Sequence, residues 1–244
     1  AEVSIAAPTS AQPAPDSPPL VSNAESRTVA NHADAARITQ RGERLLPALI
    51  LGYTLLYTAL CWRRFATFHA QIDMSYYLRL LWGLATGNYD LPLVQCRHLL
   101  GLHLEPVMLA FALLRRLGLP GAPLLLVAQA VAVSLLAWPA YRMARRHLGA
   151  PLPALAAALS SLLYPTVTVA TLHDFHPVTL ALAPLFSFIA ALDQGRLRRA
   201  LVFGALALAC REDIALQLAL LFLATAELAM RARAKVQDAR PTET

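Results

Sequence analysis

Two histidines and an aspartate interrupt the apolar sequence in the stretch TLHDFHPVTL, residues 171–180. Imidazole and carboxylate groups at this spacing can bind a divalent metal ion, alone or together with a phosphate. The simpler interpretation is a turn in which Pro177 opens a helix and Asp174 or His176 lies near its cap. A turn rarely needs two histidines and an acid, so this segment is a candidate metal site, although a plain turn stays open.

A second polar group consists of Arg211, Glu212 and Asp213, within the apolar stretch ALACREDIALQ. The uncharged residues before Arg211 cover about 17 Å of helix, which places this group below the membrane surface. Ionisable groups at membrane depth are costly and are therefore functional candidates. Two structural interpretations compete with this one. Arg211 could neutralise Glu212 or Asp213, and a single long helix could carry all three residues at its middle.

Two further acids precede predicted helices. Asp73 comes before apolar residues that recur with the period of an amphipathic helix ending at Gly87. On spacing alone, a cap for that helix and a catalytic role explain Asp73 equally well. His103 and Glu105 precede Pro106, and a proline in the first turn with an acid near the helix dipole also predicts a plain helix start.

The composition places these residues in a membrane protein. Hydrophobic residues make up 57% of the chain and charged residues 15%, whereas soluble domains carry about 25% charged residues. Charge-free runs such as 117–141 and 148–172 exceed the ~20 residues that a helix needs to cross a membrane. They lack the alternation of a membrane β-barrel. The net charge is +6, and the basic residues form short clusters beside these runs. Such clusters are typical of residues that orient membrane spans, rather than of a nucleic-acid-binding surface.

The arginine clusters predict an all-α polytopic bundle of about six spans with both termini in the cytoplasm. The segment 104–119 is too short to cross between Pro106 and its arginine pair, so we predict an amphipathic helix on the outer surface. The loops that carry the polar groups described above then all lie on the outer side. The predicted spans are 45–62, 119–141, 149–171, 177–193, 198–210 and 214–230.

Three regions follow from these patterns. Residues 1–40 are rich in Ala, Pro and Ser, and we expect them to form a disordered cytoplasmic tail. Residues 41–232 form the transmembrane domain, which includes an outer loop over 63–118. Residues 233–244 form a second cytoplasmic tail.

Four segments, taken in order, resemble a known family. They are IDMSYYLRLLWGLATGN, HLEPVM, HDFHP and CRED. Over about 45–230 the chain resembles the uncharacterised prokaryotic membrane proteins grouped as domain of unknown function 2079. Those proteins in turn resemble the N-terminal half of GT-C glycosyltransferases. Tyr77, Leu81 and Trp82 match the family pattern, whereas Arg79 stands where a glutamine is common.

GT-C enzymes take a sugar from a polyprenyl-phosphate carrier at the outer membrane face, here the face of a prokaryotic inner membrane. The resemblance implies that Asp73 acts as the base, together with Glu105. A divalent cation, Mg²⁺ or Mn²⁺, is the expected cofactor, with Asp174 and His176 as its ligands. The residues expected to contact the substrate are Tyr77, His103, Arg211, Glu212 and Asp213.

The expected partners are membrane lipids and the lipid-linked sugar, with no nucleic acid. Full-length family members have further spans, so a protein partner that supplies missing spans is also expected. Two other functions stay open. One is a non-catalytic membrane subunit that docks a partner, and the other is a cation- or proton-coupled transporter, although the sequence shows no inverted repeat.

Overall fold

The computed structural model describes residues 21–70, 72–88 and 103–238, and within these ranges all regular structure is helical. The chain divides into two units, Ala1–Gln40 and Arg41–Thr244. The helices of the described residues are α1 Val21–Ala66, α2 Ile72–Thr86, α3 Val107–Arg116, α4 Gly121–Ser134, α5 Ala137–Leu148, α6 Pro151–Leu162, α7 Pro165–Leu172, α8 Pro177–Leu180, α9 Leu182–Asp193, α10 Leu197–Leu208 and α11 Ile214–Asp238. The all-α prediction is confirmed for this part of the chain.

The predicted N-terminal tail is partly helical where the structure describes it. Helix α1 already begins at Val21, so residues 21–40 are helical. This segment has no proline and holds many alanines, which favour a helix even without a core to bury. Helix α11 continues to Asp238. The cytoplasmic placement of both tails stays a prediction, and residues 1–20 and 239–244 lie outside the described residues.

The number of spans is smaller than the predicted six when judged by helix length. Among the described residues, two helical segments are long and apolar enough to cross a membrane, Arg44–Ala66 and Gly121–Leu148. A third is counted if α6 and α7, which meet at a bend of 47°, form one broken span. The apolar helices Pro177–Asp193 and Ile214–Leu228 are shorter.

Prolines explain why the long apolar runs do not become equally long helices. Pro151, Pro165 and Pro177 each open a new helix, because a proline cannot donate the backbone hydrogen bond that a continuing helix needs. The predicted span 198–210 contains only α10, whose twelve residues cover about 18 Å. Composition revealed the apolar runs but not how these breaks divide them.

The end of α2 and the short length of α3 agree with the sequence analysis. Helix α2 ends at Thr86 and is followed by Gly87 with φ of +78°, a left-handed conformation that glycine adopts at helix ends. Helix α3 has ten residues, or about 15 Å, which is too short to cross a membrane. It buries Met108 and Phe111 and exposes Leu109 and Leu113. Both of its faces therefore carry apolar residues, which differs from the predicted amphipathic helix, and its position on the outer surface stays a prediction.

A core cluster of buried residues joins α2, α3, α4 and the chain between α7 and α8. Met74 and Leu81 of α2 belong to it, together with Leu125 of α4 and Phe175. The cluster also includes Cys210 and Ile214, on either side of the turn between α10 and α11. The core therefore lies directly beneath the polar segments that the sequence analysis selected.

Candidate active site

The HDFHP segment connects α7 to α8 and is anchored by its phenylalanine. Phe175 is fully buried, and its ring makes edge contacts with Tyr77 at 5.3 Å and Phe111 at 5.9 Å between centroids. His173 and His176, on either side, have extended backbone conformations and remain partly exposed. Burial of Phe175 thus turns the two imidazoles toward accessible space.

Gln129 of α4, which the sequence analysis did not select, anchors this segment by hydrogen bonds from the buried side. Its side-chain amide donates to the carbonyl oxygen of Thr171 at 3.0 Å, and its Oε1 accepts from the backbone N–H of His176 and the hydroxyl of Thr179, both at 3.0 Å. The residue is completely buried. The available signal was a lone amide in the apolar run 117–141, where an unpaired polar group would be costly.

Asp73 of α2 meets the two histidines. Candidate ligand atoms of Asp73, His173 and His176 all lie within 4.8 Å of one another, and all three residues are partly buried. His176 Nε2 lies 3.2 Å from Asp73 Oδ2. These side chains come from α2 and from the HDFHP segment. Their common placement on the outer side of a membrane stays a prediction.

The hydrogen bonding of His176 fixes what its second nitrogen can do. Nδ1 lies 2.9 Å from the carbonyl oxygen of Asp174, which can only accept, so Nδ1 carries a proton. Nε2 then presents a lone pair to the carboxylate of Asp73, unless it is protonated as well. A second proton or a bound cation relieves the repulsion between two acceptors, so the arrangement fits a positive charge at this point.

Asp174, a predicted metal ligand, has a different role. Its Oδ2 accepts the backbone N–H of Met74 at 2.9 Å, and the residue is only 4% exposed. The carboxylate therefore satisfies a free donor in the first turn of α2, next to Asp73. Asp174 therefore helps to position α2. The third residue beside His176 and Asp73 is His173, which the sequence analysis did not select.

Tyr77 and Glu105 form a buried pair next to this cluster. The phenol of Tyr77 donates to Glu105 Oε1 at 3.0 Å, and Glu105 is only 7% exposed. Burial raises the pKa of the Glu105 carboxyl above its ordinary value, although the hydrogen bond from Tyr77 and the charge of His103 oppose the shift. Burial, followed by the nearby Glu105 charge, also raises the pKa of Tyr77.

The turn between α10 and α11 closes over the start of the 103–107 segment. Glu212 Oε1 lies 2.8 Å from His103 Nδ1, and Oε2 accepts the backbone N–H of Leu104 at 2.8 Å. The backbone N–H of Val107 donates to the carbonyl oxygen of Ala209 at 2.8 Å. The bond with His103 holds the pKa of Glu212 below its ordinary value. This turn also rules out one long helix through residues 209–213.

Arg211 pairs with Asp213 through both ends of its guanidinium, with 2.9 Å between Nε and Oδ1. This hydrogen bond lowers the pKa of the Asp213 carboxyl. Of the two partners that the sequence left open, Asp213 is therefore the one observed. The charge of Arg211 still reaches Tyr77 and Glu105, since it favours the ionised form of each.

The structure thus brings the predicted site residues together at one end of α2. We call the following set the histidine–acid site: Asp73, Tyr77, His103, Glu105, His173, His176, Arg211, Glu212 and Asp213. Tyr77 links its halves, because its ring lies 6.0 Å from that of His176 while its hydroxyl contacts Glu105. His98, which also lies in the predicted outer loop, falls outside the described residues.

Comparison with known proteins identifies the group to which this chain is related. The sequence pattern of the predicted membrane protein family DUF2079 matches residues 64–237. The chain belongs to this family. The DUF2079 match covers the complete histidine–acid site and agrees with the apolar helices described above, so the chain is a membrane protein. No curated protein and no solved structure matches it.

Proposed function

We propose that this DUF2079 protein transfers a sugar from a polyprenyl-phosphate donor to an acceptor hydroxyl at the outer face of a prokaryotic inner membrane. The observation that carries the proposal is the convergence of Asp73, His173 and His176 beside the buried Tyr77–Glu105 pair. Such a site combines a place for a cation with a carboxyl group of raised pKa. Transfer from a lipid phosphate needs both a base and positive charge near the leaving group.

The donor set of Asp73, His173 and His176 fits a divalent cation, because it offers two imidazoles and one carboxylate that are not fully buried. Metal sites in catalysis typically use three protein ligands and leave positions open for substrate. A bound cation would supply positive charge next to the leaving phosphate. In this proposal Asp73 binds the cation, and the role of base belongs to Glu105.

Glu105 suits the task of a base better than an exposed acid would. A raised pKa brings a carboxylate closer to the operating pH, where proton transfer is most efficient. One carboxylate oxygen is occupied by the hydroxyl of Tyr77, and the other takes the proton of the acceptor hydroxyl. The acceptor oxygen then forms its bond to the anomeric carbon while the bond from that carbon to the phosphate oxygen breaks. The phosphate keeps the electron pair.

Arg211 is a positive group whose charge reaches this carboxyl. The charge of Arg211 acts on Glu105, and Asp213 holds the guanidinium in place through two contacts. In the proposal, Arg211 contacts the lipid phosphate, and Asp213 orients it. Glu212 positions His103 through their 2.8 Å contact.

The test is sugar transfer from a labelled polyprenyl-phosphate sugar by the full chain in proteoliposomes, measured as release of polyprenyl phosphate. Asp73→Asn weakens the cation site, so it should lower the rate by about 10²- to 10³-fold, the cost of losing electrostatic stabilisation at the leaving group. The matched control is Asp193→Asn, which alters another histidine–aspartate pair, His147 with Asp193 at 3.0 Å. An active protein in which Asp73→Asn works as well as Asp193→Asn would exclude this site as the catalytic centre.

A further inference from the structure

A second polar site lies at the other end of the helices that lead to the histidine–acid site. Helix α9 runs from that site to Asp193, and α10 packs against it and returns, so the two ends are separated by about 18 Å of helix. A cavity of about 400 Å³ opens here between α5, α9 and α10. This volume is in the range of small-molecule sites.

Four arginines line the cavity: Arg142, Arg196, Arg198 and Arg199. Within the part of the chain that the structure describes, none of the four forms an ion pair. The nearby acid Asp193 contacts Arg146 at 3.2 Å and His147 at 3.0 Å instead. Gln194 and Ser187 also line the cavity and are uncharged. The cavity therefore carries an excess of positive charge that no lining acid offsets.

The backbone adds to this charge. Helix α10 begins at Leu197, within the arginine group, and has twelve residues. The first N–H groups of a helix lack partners within the helix and favour anions. The arginine side chains and this helix start thus favour the same kind of ligand, an anion.

The remaining lining residues are apolar. They indicate that the anion belongs to a larger molecule with an apolar part. Trp138 and Phe203 line the same cavity, and Trp138 remains 47% exposed. Leu201 and Val202 expose 63% and 59% of their surface on α10 next to it. An inorganic anion would leave this surface uncovered, whereas a lipid would place its acyl chains there. We propose that this arginine cavity binds the headgroup of an anionic phospholipid, independently of the proposed sugar transfer.

Tryptophan fluorescence tests the proposal at the cavity itself. The chain has three tryptophans, so Trp62→Phe with Trp82→Phe leaves Trp138 as the single reporter. The full chain is placed in phosphatidylcholine nanodiscs that contain either brominated phosphatidylglycerol or brominated phosphatidylcholine at equal mole fraction. Brominated phosphatidylglycerol should quench Trp138 several-fold more strongly. Equal quenching by the two lipids would overturn the proposal.

Substitutions of arginines distinguish a specific lipid site in the cavity from a general attraction of anionic lipids to a basic protein. In the reporter background, Arg198→Gln with Arg199→Gln should lower the preference for phosphatidylglycerol by at least roughly fivefold, since each arginine near an anionic surface contributes appreciably. The matched control, Arg63→Gln with Arg79→Gln, removes the same charge elsewhere and should keep the preference. An equal loss in both double variants would contradict the proposal.

A final arm distinguishes a lipid headgroup from free phosphate. Excess inorganic phosphate is compared with chloride at the same ionic strength. The lipid proposal expects equal, small effects of both salts on quenching. Displacement of phosphatidylglycerol by phosphate alone would instead assign the cavity to a soluble phosphate ligand.

Discussion

The histidine–acid site lies at one end of α9 and α10, and the arginine cavity lies at the other. The charged side chains at the two ends are arranged differently. At the histidine–acid site, charges are paired across long distances in sequence, as His176 is with Asp73 and His103 with Glu212. At the arginine cavity, four guanidiniums face a common space with no lining acid. The difference shows that charge density alone does not describe a site. Paired charges fix a geometry that can do chemistry, whereas unpaired charges of one sign attract a ligand.

The two ends also differ in how firmly a glutamine side chain is held beside the charged residues. Beneath the histidine–acid site lies Gln129, completely buried, with bonds to the backbone and side chains of the segment above it. At the arginine cavity the corresponding glutamine, Gln194, is only partly buried. If this difference matters, equal substitutions at the two glutamines should have unequal consequences.

The largest effect is expected from Gln129→Leu. It leaves the backbone N–H of His176 without its partner, and an unsatisfied buried group costs about 1–3 kcal/mol. The carbonyl oxygen of Thr171 and the hydroxyl of Thr179 each lose one hydrogen bond but keep another, from Cys61 and to the His176 carbonyl oxygen respectively. The free energy of unfolding should therefore fall by about 1–3 kcal/mol, measured by denaturant titration of the detergent-solubilised protein. Gln194→Leu, at the other end, should change it by less than about 0.5 kcal/mol. Similar losses in both variants would remove the distinction between the two ends.

Metal binding should also distinguish the two histidine–aspartate pairs. His173→Ala removes one of three ligands, so the affinity for Mn²⁺ or Zn²⁺, measured by calorimetry, should fall by at least about tenfold. His147→Ala, in the pair with Asp193, should leave it unchanged. Because two imidazoles favour transition metals over Mg²⁺, Mn²⁺ or Zn²⁺ should bind more tightly than Mg²⁺. Preference for Mg²⁺ would point to a ligand set without the histidines.

The pH profile of sugar transfer should report Glu105. Because the pKa of this carboxyl is raised by burial, the base is lost as pH falls through that raised value. The rate should therefore rise with pH along an acidic limb positioned above the ordinary range of glutamate, about 4.3. Glu105→Gln should abolish that limb along with most of the activity. An unchanged limb in the residual activity would assign the base to another group.

The smallest effect concerns Glu212 and stability in acid. Its pKa is lowered in the folded protein, so its stabilising contribution is present above the ordinary glutamate pKa and is lost as pH falls through the lower folded value. The melting temperature of Glu212→Gln should be lower than that of the unsubstituted chain near neutral pH. The gap should narrow below about pH 4. Because Glu212 is exposed, a shift of only a few degrees is expected.

The sequence predicted the partners of the site better than their roles. Asp73 and His176 were selected for their residue types, and the structure places them 3.2 Å apart. Asp174 was assigned to the metal because residue type does not show which way a side chain points in a turn. Burial of Phe175 decides that direction, and it turns Asp174 toward the first turn of α2. A contact across a hundred residues was needed to see it.

Gln129 and the span count were beyond sequence reasoning for a related reason. A single glutamine in an apolar run indicates a buried hydrogen bond, but only the fold supplies its partners on the HDFHP segment. The apolar runs themselves were visible. Their division depends on where Pro165 and Pro177 start new helices, and the 47° bend after α6 is a property of packing as much as of composition.

If the proposed cation binds, the bond from the Met74 amide to Asp174 would connect its binding to the start of α2. Asp174 lies between His173 and Asp73's own helix, so any ion that pulls the two histidines toward Asp73 also tightens the cap on α2. Amide protons in the first turn of α2 should then exchange with solvent more slowly when the ion is present. Occupancy of the site would be recorded in the backbone of a neighbouring helix, where hydrogen exchange can detect it without any knowledge of the substrate.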